Sequence, residues 1–205
     1  MLNPVLLERL FQTLKKEAEA PTHVTELVYL FGQTPENQSS TLDIAKQFEG
    51  PVGINGFNLP YAGYPGFDVW KKALIDRGTD AGRIVGMDGF EGTMSNTLTE
   101  ARALVRYAKK QQTSDITIVA PYWHLLRCFM TTVGIALKEY PLLKIHPLFG
   151  VMLPWNERAT HSQGIVAGIR ADFMFTETIR LFQYNEKGDL PSAEEVLSYI
   201  ESRGS

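Results

Sequence analysis

Short runs of β-branched and aromatic residues alternate along the chain with longer segments in which apolar residues recur at helical spacing. This alternation is typical of βαβ units and of a parallel sheet. It predicts a three-layer α/β/α Rossmann-like fold, with a mainly parallel five-stranded sheet and a helical carboxyl-terminal tail. The predicted strands are residues 26–32, 52–57, 83–87 and 115–120, and a fifth lies within 143–151.

Residue types that start helices precede two of the longer segments. Asn3 and Pro4 are favoured at a helix start, and Ser192 with Glu195 forms a capping box near the end of the chain. Further helices are predicted over residues 67–78, 95–112, 122–139 and 162–186. We expect one α/β domain over residues 1–205, with an amino-terminal helix at 1–22, a sheet core at 24–152 and a helical tail at 159–205.

Composition and charge exclude several classes of partner. The 205 residues carry a formal net charge of −3, which gives no electrostatic reason to expect nucleic acid. No run of apolar residues reaches the roughly 18 that a membrane span needs, and no signal peptide is apparent. Cys128 is the single cysteine, so no intramolecular disulfide can form. These features predict a cytoplasmic protein that binds neither nucleic acid nor membrane.

Polar side chains are concentrated where the predicted strands end. In a parallel sheet the helices begin just after the strands, so their unpaired N–H groups collect at one edge and suit anionic or polar ligands. The candidate ligand-binding residues at this edge are Gly32, Gln33, Asn55, Gly56, Ser95, Asn96, Thr97, His124 and Arg127.

The two most reactive candidates lie in the charge-poor helix at 122–139. His124 is the candidate acid/base, because histidine titrates near neutral pH. The side chains of His124 and Cys128 are both predicted to point away from the apolar stripe that this helix buries. Arg127 could grip a phosphate or a carboxylate with two parallel hydrogen bonds. The alternative for Arg127 is an ordinary ion pair with Glu91 or Glu157.

Each remaining signal has an ordinary structural alternative. Residues 95–97 are also typical helix caps. His124 and Cys128 have a spacing that can hold a metal, but no further ligands accompany them, so no metal is predicted. Asp68, Asp88 and Glu91 could coordinate a divalent ion or act as a base in a magnesium-dependent phosphatase, a third hypothesis, but a solvated surface position explains them as readily.

The order of these motifs resembles the family of unknown function that includes SanA, ElyC and YdcF. In that family the first strand ends in glycine, the second ends near a Ser-Gly-Gly turn, the third leads to Ser-x-Asn-Thr-x-Glu-Asn and the fourth to His-x-x-Arg. The matching residues are Gly32, Gly56, Ser95-Asn96-Thr97 and His124-Leu-Leu-Arg127, within residues 24–190. Thr99 and Glu100 stand where the family pattern has glutamate and asparagine.

The YdcF-like resemblance implies a Rossmann-like fold in a bacterial protein and binding of a nucleotide or a nucleotide-like molecule such as S-adenosylmethionine. It implies no established reaction. If Asn96 and His124 share one pocket, the third and fourth strands should be neighbours, unless long loops bridge the gap. The strand order 2-1-3-4-5 satisfies this condition and the order 3-2-1-4-5 does not, so we expect the former.

Two classes of function follow from the sequence. The first is a site for a phosphorylated or nucleotide-like small molecule, with hydrolase or transferase chemistry as an open question. The second is a non-catalytic interaction module, such as a homodimer joined through the helix at 122–139 or through the aromatic tail that contains Phe173, Phe175, Phe182 and Tyr184.

Overall fold

Five parallel strands form the central sheet, in the spatial order β3-β2-β1-β4-β5. The computed structural model describes residues 2–19, 25–58, 63–88, 96–161 and 166–203. The strands of this sheet are β1 (Leu27–Leu30), β2 (Val52–Asn55), β3 (Ile84–Met87), β4 (Asp115–Ala120) and β5 (Lys144–Phe149).

Helices cover both faces of the sheet, as the sequence predicts for a three-layer α/β/α fold. They are α1 (Pro4–Glu19), α2 (Gln38–Leu42), α3 (Phe67–Asp76), α4 (Thr97–Gln111), α5 (Leu125–Glu139), α6 (Arg170–Glu186) and α7 (Ala193–Arg203), with short 3-10 turns at Ala45–Gln47 and Ala81–Arg83. The predicted caps of α1 and α7 are confirmed: Asn3 Oδ1 accepts from the Val5 N–H at 2.9 Å, and Ser192 Oγ accepts from the Glu195 N–H at 3.2 Å.

The side chains of β1 show how the two layers arise. Leu27, Tyr29 and Phe31 join the core formed by α1, α4, α5 and α7, whereas Val28 and Leu30 join the core formed by α2 and α3. Because successive side chains of a strand point to opposite faces, an apolar run with no polar alternation indicates a strand that is covered on both sides.

The predicted strand order 2-1-3-4-5 is wrong. In the observed order, β3 lies at one edge and is separated from β4 by β2 and β1. The prediction placed Asn96 and His124 in one pocket with no long loop to bridge the sheet. Instead, α4 begins over the middle of the sheet, since Glu100 in the first turn of α4 contacts Gly32 directly after β1.

The tail is less helical than the sequence predicts. Two short strands, β6 (Arg158–His161) and β7 (Val166–Ile169), form an antiparallel pair, and α6 begins only at Arg170. The predicted helix from residue 162 is therefore wrong over its first part. The strands have four residues each, too short for an apolar alternation to distinguish them from the start of a helix. No helix among the described residues is long and apolar enough to cross a membrane.

Candidate functional site

The carboxyl ends of β1 and β4 lie side by side at the point where the strand order reverses. Ligands of open α/β sheets bind in the crevice at such a switch point, because the loops that follow the two strands diverge to opposite faces. Here Gln33, which follows β1, and His124, which follows β4, meet across that point, with Gln33 Nε2 3.1 Å from His124 Nδ1. Both side chains are buried.

A chain of hydrogen bonds extends from His124 into α4 and α5. His124 Nε2 lies 3.2 Å from Thr97 Oγ1, and Arg127 NH1 donates to the same oxygen at 2.7 Å. With the amide of Gln33 donating to Nδ1, the neutral imidazole carries its proton on Nε2 and donates to Thr97. The Thr97 oxygen then accepts twice, and none of the described residues accepts its own hydroxyl hydrogen.

Arg127 is held by a buried carboxylate. Its Nε and NH2 donate to the two oxygens of Glu177 at 2.5 and 3.0 Å, a bidentate pair in which Arg127 is 6% and Glu177 2% exposed. His161 Nε2 contacts Glu177 Oε1 at 2.7 Å, and Arg180 NH1 donates to the same oxygen at 3.2 Å. We call the linked set Gln33, Thr97, His124, Arg127, His161 and Glu177 the polar cluster.

The β6–β7 pair carries His161 into the polar cluster and is fastened to the loop after β1. Asn37 is fully buried and donates to the Thr160 carbonyl at 2.7 Å, while its own oxygen accepts from Arg170 Nε at 2.9 Å. Arg170 also donates to the Glu36 carbonyl and to the Glu157 carboxylate, at 2.8 and 2.7 Å. These bonds fix the hairpin, and so His161, against the loop that carries Gln33.

Burial and charge set the protonation states of the polar cluster. Burial opposes the ionisation of Glu177, but the adjacent Arg127 and the hydrogen bond from His161 hold the pKa of this carboxyl well below its usual value. Burial, reinforced by the charge of Arg127, lowers the pKa of His124 well below its usual value, and burial also lowers that of His161. Both imidazoles are therefore neutral near pH 7, and the charge of Glu177 is balanced by the bidentate Arg127 and by Arg180.

Beside the polar cluster, Glu100 lies at the end of β1. It is 6% exposed, and its Oε2 accepts from the Gly32 N–H at 2.9 Å and from the Tyr29 hydroxyl at 3.1 Å. Burial raises the pKa of Glu100 to about 7, although these two hydrogen bonds and the charge of Arg127 favour the ionised form. Glu100 is thus a buried carboxyl that changes charge in the neutral range.

Glu100 and Glu177 are site residues that the sequence reading missed. Helical spacing could have revealed both. Glu100 stands three places after Thr97 on the stripe that α4 buries, and Glu177 stands four places after Phe173 and four before Leu181 on the buried stripe of α6. An acidic residue within an apolar helical stripe indicates a buried, partnered carboxylate, because such groups are rarely buried alone.

The remaining predicted site residues serve local turns. Asn96 caps α4, its side chain accepting from the Thr99 N–H at 3.0 Å, which confirms the capping alternative for this residue. Asn55 Oδ1 accepts from the Phe57 N–H at 2.8 Å. Gly56 packs so closely that an added Cβ would lie 2.3 Å from an Asp88 carboxylate oxygen. Ser95 lies outside the described residues.

The predicted orientation of two side chains in the helix at 122–139 is wrong, and Arg127 has a buried partner that the sequence did not predict. His124 and Cys128 do not point away from a buried stripe, because both are buried and α5 packs against α4, α7, β4 and β5. Burial raises the pKa of the Cys128 thiol well above its usual value. Arg127 pairs with Glu177, which the sequence reading did not consider, while Glu157 pairs with Arg170.

A groove of about 300 Å³ opens on the outer side of the Arg127–Glu177 pair, between α1, the start of α5 and α6. Its walls are mainly apolar and aromatic, as in most small-molecule pockets. The lining residues include Leu7, Phe11, Tyr122, Leu126, Met174 and Phe182.

The described part of the chain contains no group of three or more His, Cys, Asp or Glu side chains placed to hold a metal ion. Asp68 instead accepts a hydrogen bond from Asn58 at 2.7 Å on the surface, and Glu91 lies outside the described residues. The carboxylates that the magnesium hypothesis needs are therefore not seen together.

Neither the comparison with protein-family models nor the comparison with curated proteins gives a match for this chain. The resemblance to the YdcF-like family stays a prediction that rests on the short motifs.

Proposed function

We propose that the protein binds a phosphorylated or nucleotide-like small molecule at the carboxyl ends of β1 and β4. The observation that carries this proposal is the polar cluster itself: four of the nine candidate residues, Gln33, Thr97, His124 and Arg127, form one hydrogen-bonded chain at the switch point. The Thr97 hydroxyl hydrogen has no acceptor among the described residues, so a ligand oxygen could accept it. The YdcF-like resemblance adds S-adenosylmethionine to the candidate ligands, and the single Cys128 is in keeping with a cytoplasmic location.

Within this proposal, His124 orients the ligand. If the protein turns its ligand over in a hydrolase or transferase reaction, a neutral His124 can accept a proton at one ring nitrogen while the other stays hydrogen-bonded. Arg127 is a positioning residue, because its Nε, NH1 and NH2 already donate to Glu177 and Thr97.

A thermal-shift screen tests the proposal, with nucleotides, phosphosugars and S-adenosylmethionine as ligands. A ligand that binds the native state raises the melting temperature by mass action. We expect the shift to shrink strongly in His124→Gln and to persist in His146→Gln. His146 is a matched control, because it is 7% exposed, as against 5% for His124, and both of its ring nitrogens are bonded. A ligand that stabilises His124→Gln as much as the native protein would refute this assignment.

A homodimeric interaction module is the second candidate, favoured by one observation. On α6, Phe175 is 71% and Ile179 41% exposed, one helical turn apart. Because α5 is covered by its own chain, this face of α6 is a better candidate for a dimer contact than the helix at 122–139. Light scattering on the native protein and on Phe175→Glu distinguishes the two functions: a strict monomer in both excludes the dimer.

A further inference from the structure

The Glu100 carboxylate occupies a position that nucleotide-binding α/β proteins commonly use for phosphate. In those proteins, backbone N–H groups in the turn after the first strand hold the phosphate. Here the Gly32 N–H, directly after β1, donates to Glu100 Oε2 at 2.9 Å. Gly32 permits this approach, because a Cβ at this position would lie 3.3 Å from Glu100 Oε1 and 3.2 Å from the Tyr64 ring.

The second oxygen of this carboxylate has no hydrogen-bond partner among the described residues. Tyr29 and Gly32 both bond to Oε2, and among the described residues no group donates to Oε1. No described cation forms an ion pair with Glu100 either. The ionisable groups that act on it from the neighbouring elements are Tyr29, Tyr64, Arg127 and Cys128, and only Arg127 is charged near pH 7. Buried carboxylates ordinarily use both oxygens.

We infer that Glu100 Oε1 accepts a hydrogen bond from a sugar hydroxyl or an amino group of the ligand. This inference rests on the proposed function and narrows it. The end of the ligand above β1 is a hydrogen-bond donor, and the phosphate of a phosphorylated ligand lies away from the Gly32 turn. A phosphate bound at that turn would face a carboxylate of the same sign, whereas a hydroxyl or an amine completes the hydrogen bonds of Glu100.

The protonation of Glu100 makes this recognition depend on pH. Burial places the pKa of Glu100 near 7, so the carboxylate form predominates at pH 8 and the acid form at pH 6. A ligand that needs the carboxylate should therefore bind up to roughly tenfold more tightly at pH 8 than at pH 6. A ligand that places its phosphate at the Gly32 turn should instead bind more tightly at pH 6 than at pH 8.

Binding of two matched pairs of probes tests the inference: adenosine with adenosine monophosphate, and ribose with ribose 5-phosphate. Calorimetric affinities are measured at pH 6 and pH 8 for the native protein, Glu100→Gln and Glu194→Gln. The last variant is the control, because it removes a carboxylate from the first turn of another helix, α7. In Glu100→Gln the amide oxygen must face the Gly32 N–H and the Tyr29 hydroxyl, so the amide nitrogen presents a donor where the native protein presents an acceptor.

We expect the unphosphorylated probe of at least one pair to bind the native protein more tightly at pH 8. Glu100→Gln should bind that probe about tenfold more weakly at pH 8 and lose the pH dependence, while Glu194→Gln keeps both. Inorganic pyrophosphate should bind Glu100→Gln more tightly than the native protein.

Several results would overturn the inference. If phosphorylated probes bind the native protein with no dependence on pH or on Glu100, the inference fails and the proposed function stands. If none of the four probes binds, both fail. If Glu100→Gln does not fold, the pH dependence of the native protein decides alone, and equal affinity at pH 6 and pH 8 refutes the role of Glu100.

Discussion

Each end of the central sheet holds a buried histidine whose two ring nitrogens are hydrogen-bonded, yet the two surroundings differ. Near the amino ends of β4 and β5, His146 lies between Asp115 and Glu17, at 2.9 and 3.3 Å. The side chains of these two carboxylates are 31% and 21% exposed. At the carboxyl ends, His124 lies between a buried amide and a buried hydroxyl, close to an ion pair that is almost wholly enclosed.

The difference separates a structural contact from a candidate site. At the amino end, Glu17 contacts His146 and Arg203, which links α1 and α7 to the sheet while the charges keep part of their hydration. At the carboxyl end, both side chains of the Arg127–Glu177 pair are almost fully buried. A buried pair of this kind is often no better for stability than apolar residues of the same size. The presence of this ion pair at the enclosed end of the sheet is therefore better explained by a role in holding Thr97 and His161 in place.

Removal of one partner of the buried pair should give the largest effect. Arg127→Met leaves Glu177 buried without its bidentate partner, so we expect the free energy of unfolding to fall by about 3–5 kcal/mol in urea denaturation. Glu17→Gln at the amino end should lose about 1 kcal/mol or less, because its charge is partly hydrated. The double variant Arg127→Met/Glu177→Leu should recover most of the loss. Equal losses of unfolding free energy in Arg127→Met and Glu17→Gln would contradict the distinction between a fully buried ion pair and a partly hydrated one.

Neutralising Glu100 should change how stability depends on pH. The pKa of Glu100 is raised to about 7 when folded, so the folded state binds a proton that the unfolded chain releases near pH 4.5. Its contribution to stability is present below pH 4.5 and is lost as the pH rises through 7. Relative to the native protein, Glu100→Gln should therefore gain on the order of 3 kcal/mol between pH 4.5 and pH 8. If the difference in unfolding free energy between Glu100→Gln and the native protein does not vary with pH, the pKa of Glu100 is not raised.

His124, in contrast to Glu100, should lower the free energy of unfolding as the pH falls below neutral. Its pKa is lowered by burial, so below about pH 6.5 the unfolded chain binds a proton that the folded state does not, and stability falls as the pH falls. His124→Gln should reduce the loss of unfolding free energy between pH 7.5 and pH 5.5 by roughly 1 kcal/mol. Parallel curves for the native protein and the variant would contradict a neutral, buried His124.

A pair of glycine substitutions should give the smallest contrast between the two ends. Gly32→Ala places a Cβ 3.2 Å from Tyr64 and 3.3 Å from Glu100, which should lower the free energy of unfolding by about 1–2 kcal/mol. Gly50→Ala, just before β2 at the amino end, places its Cβ 3.4 Å from the Glu26 carbonyl, an ordinary contact. We expect a loss below about 1 kcal/mol for Gly50→Ala. A larger loss there than at Gly32 would show that the carboxyl end is not the more tightly packed one.

The sequence alone determined the class of fold and most of its elements. Five apolar runs separated by amphipathic helical segments indicate strands that helices cover on both faces of the sheet. The bounds of β4 were predicted to the residue, at 115–120. The helix caps at Asn3 and Ser192 were also local enough to predict, because a capping bond joins residues two or three places apart. The same local rules placed the polar residues Gln33, Thr97 and His124 at strand ends.

Only the tertiary structure decided which residues meet. The strand order depends on whether β4 pairs with β3 or with β1, and no local pattern specifies that choice. Glu177 lies 50 residues from Arg127 in the chain, and Glu100 lies 68 from Gly32, so each pairing exists only after α6 and α4 have packed against the sheet. Burial then removes water from these groups and sets their charge. A sequence pattern shows that Glu100 and Glu177 stand on buried helical stripes. Contacts between distant elements decide that Arg127 neutralises Glu177 and that one oxygen of Glu100 is left for a ligand.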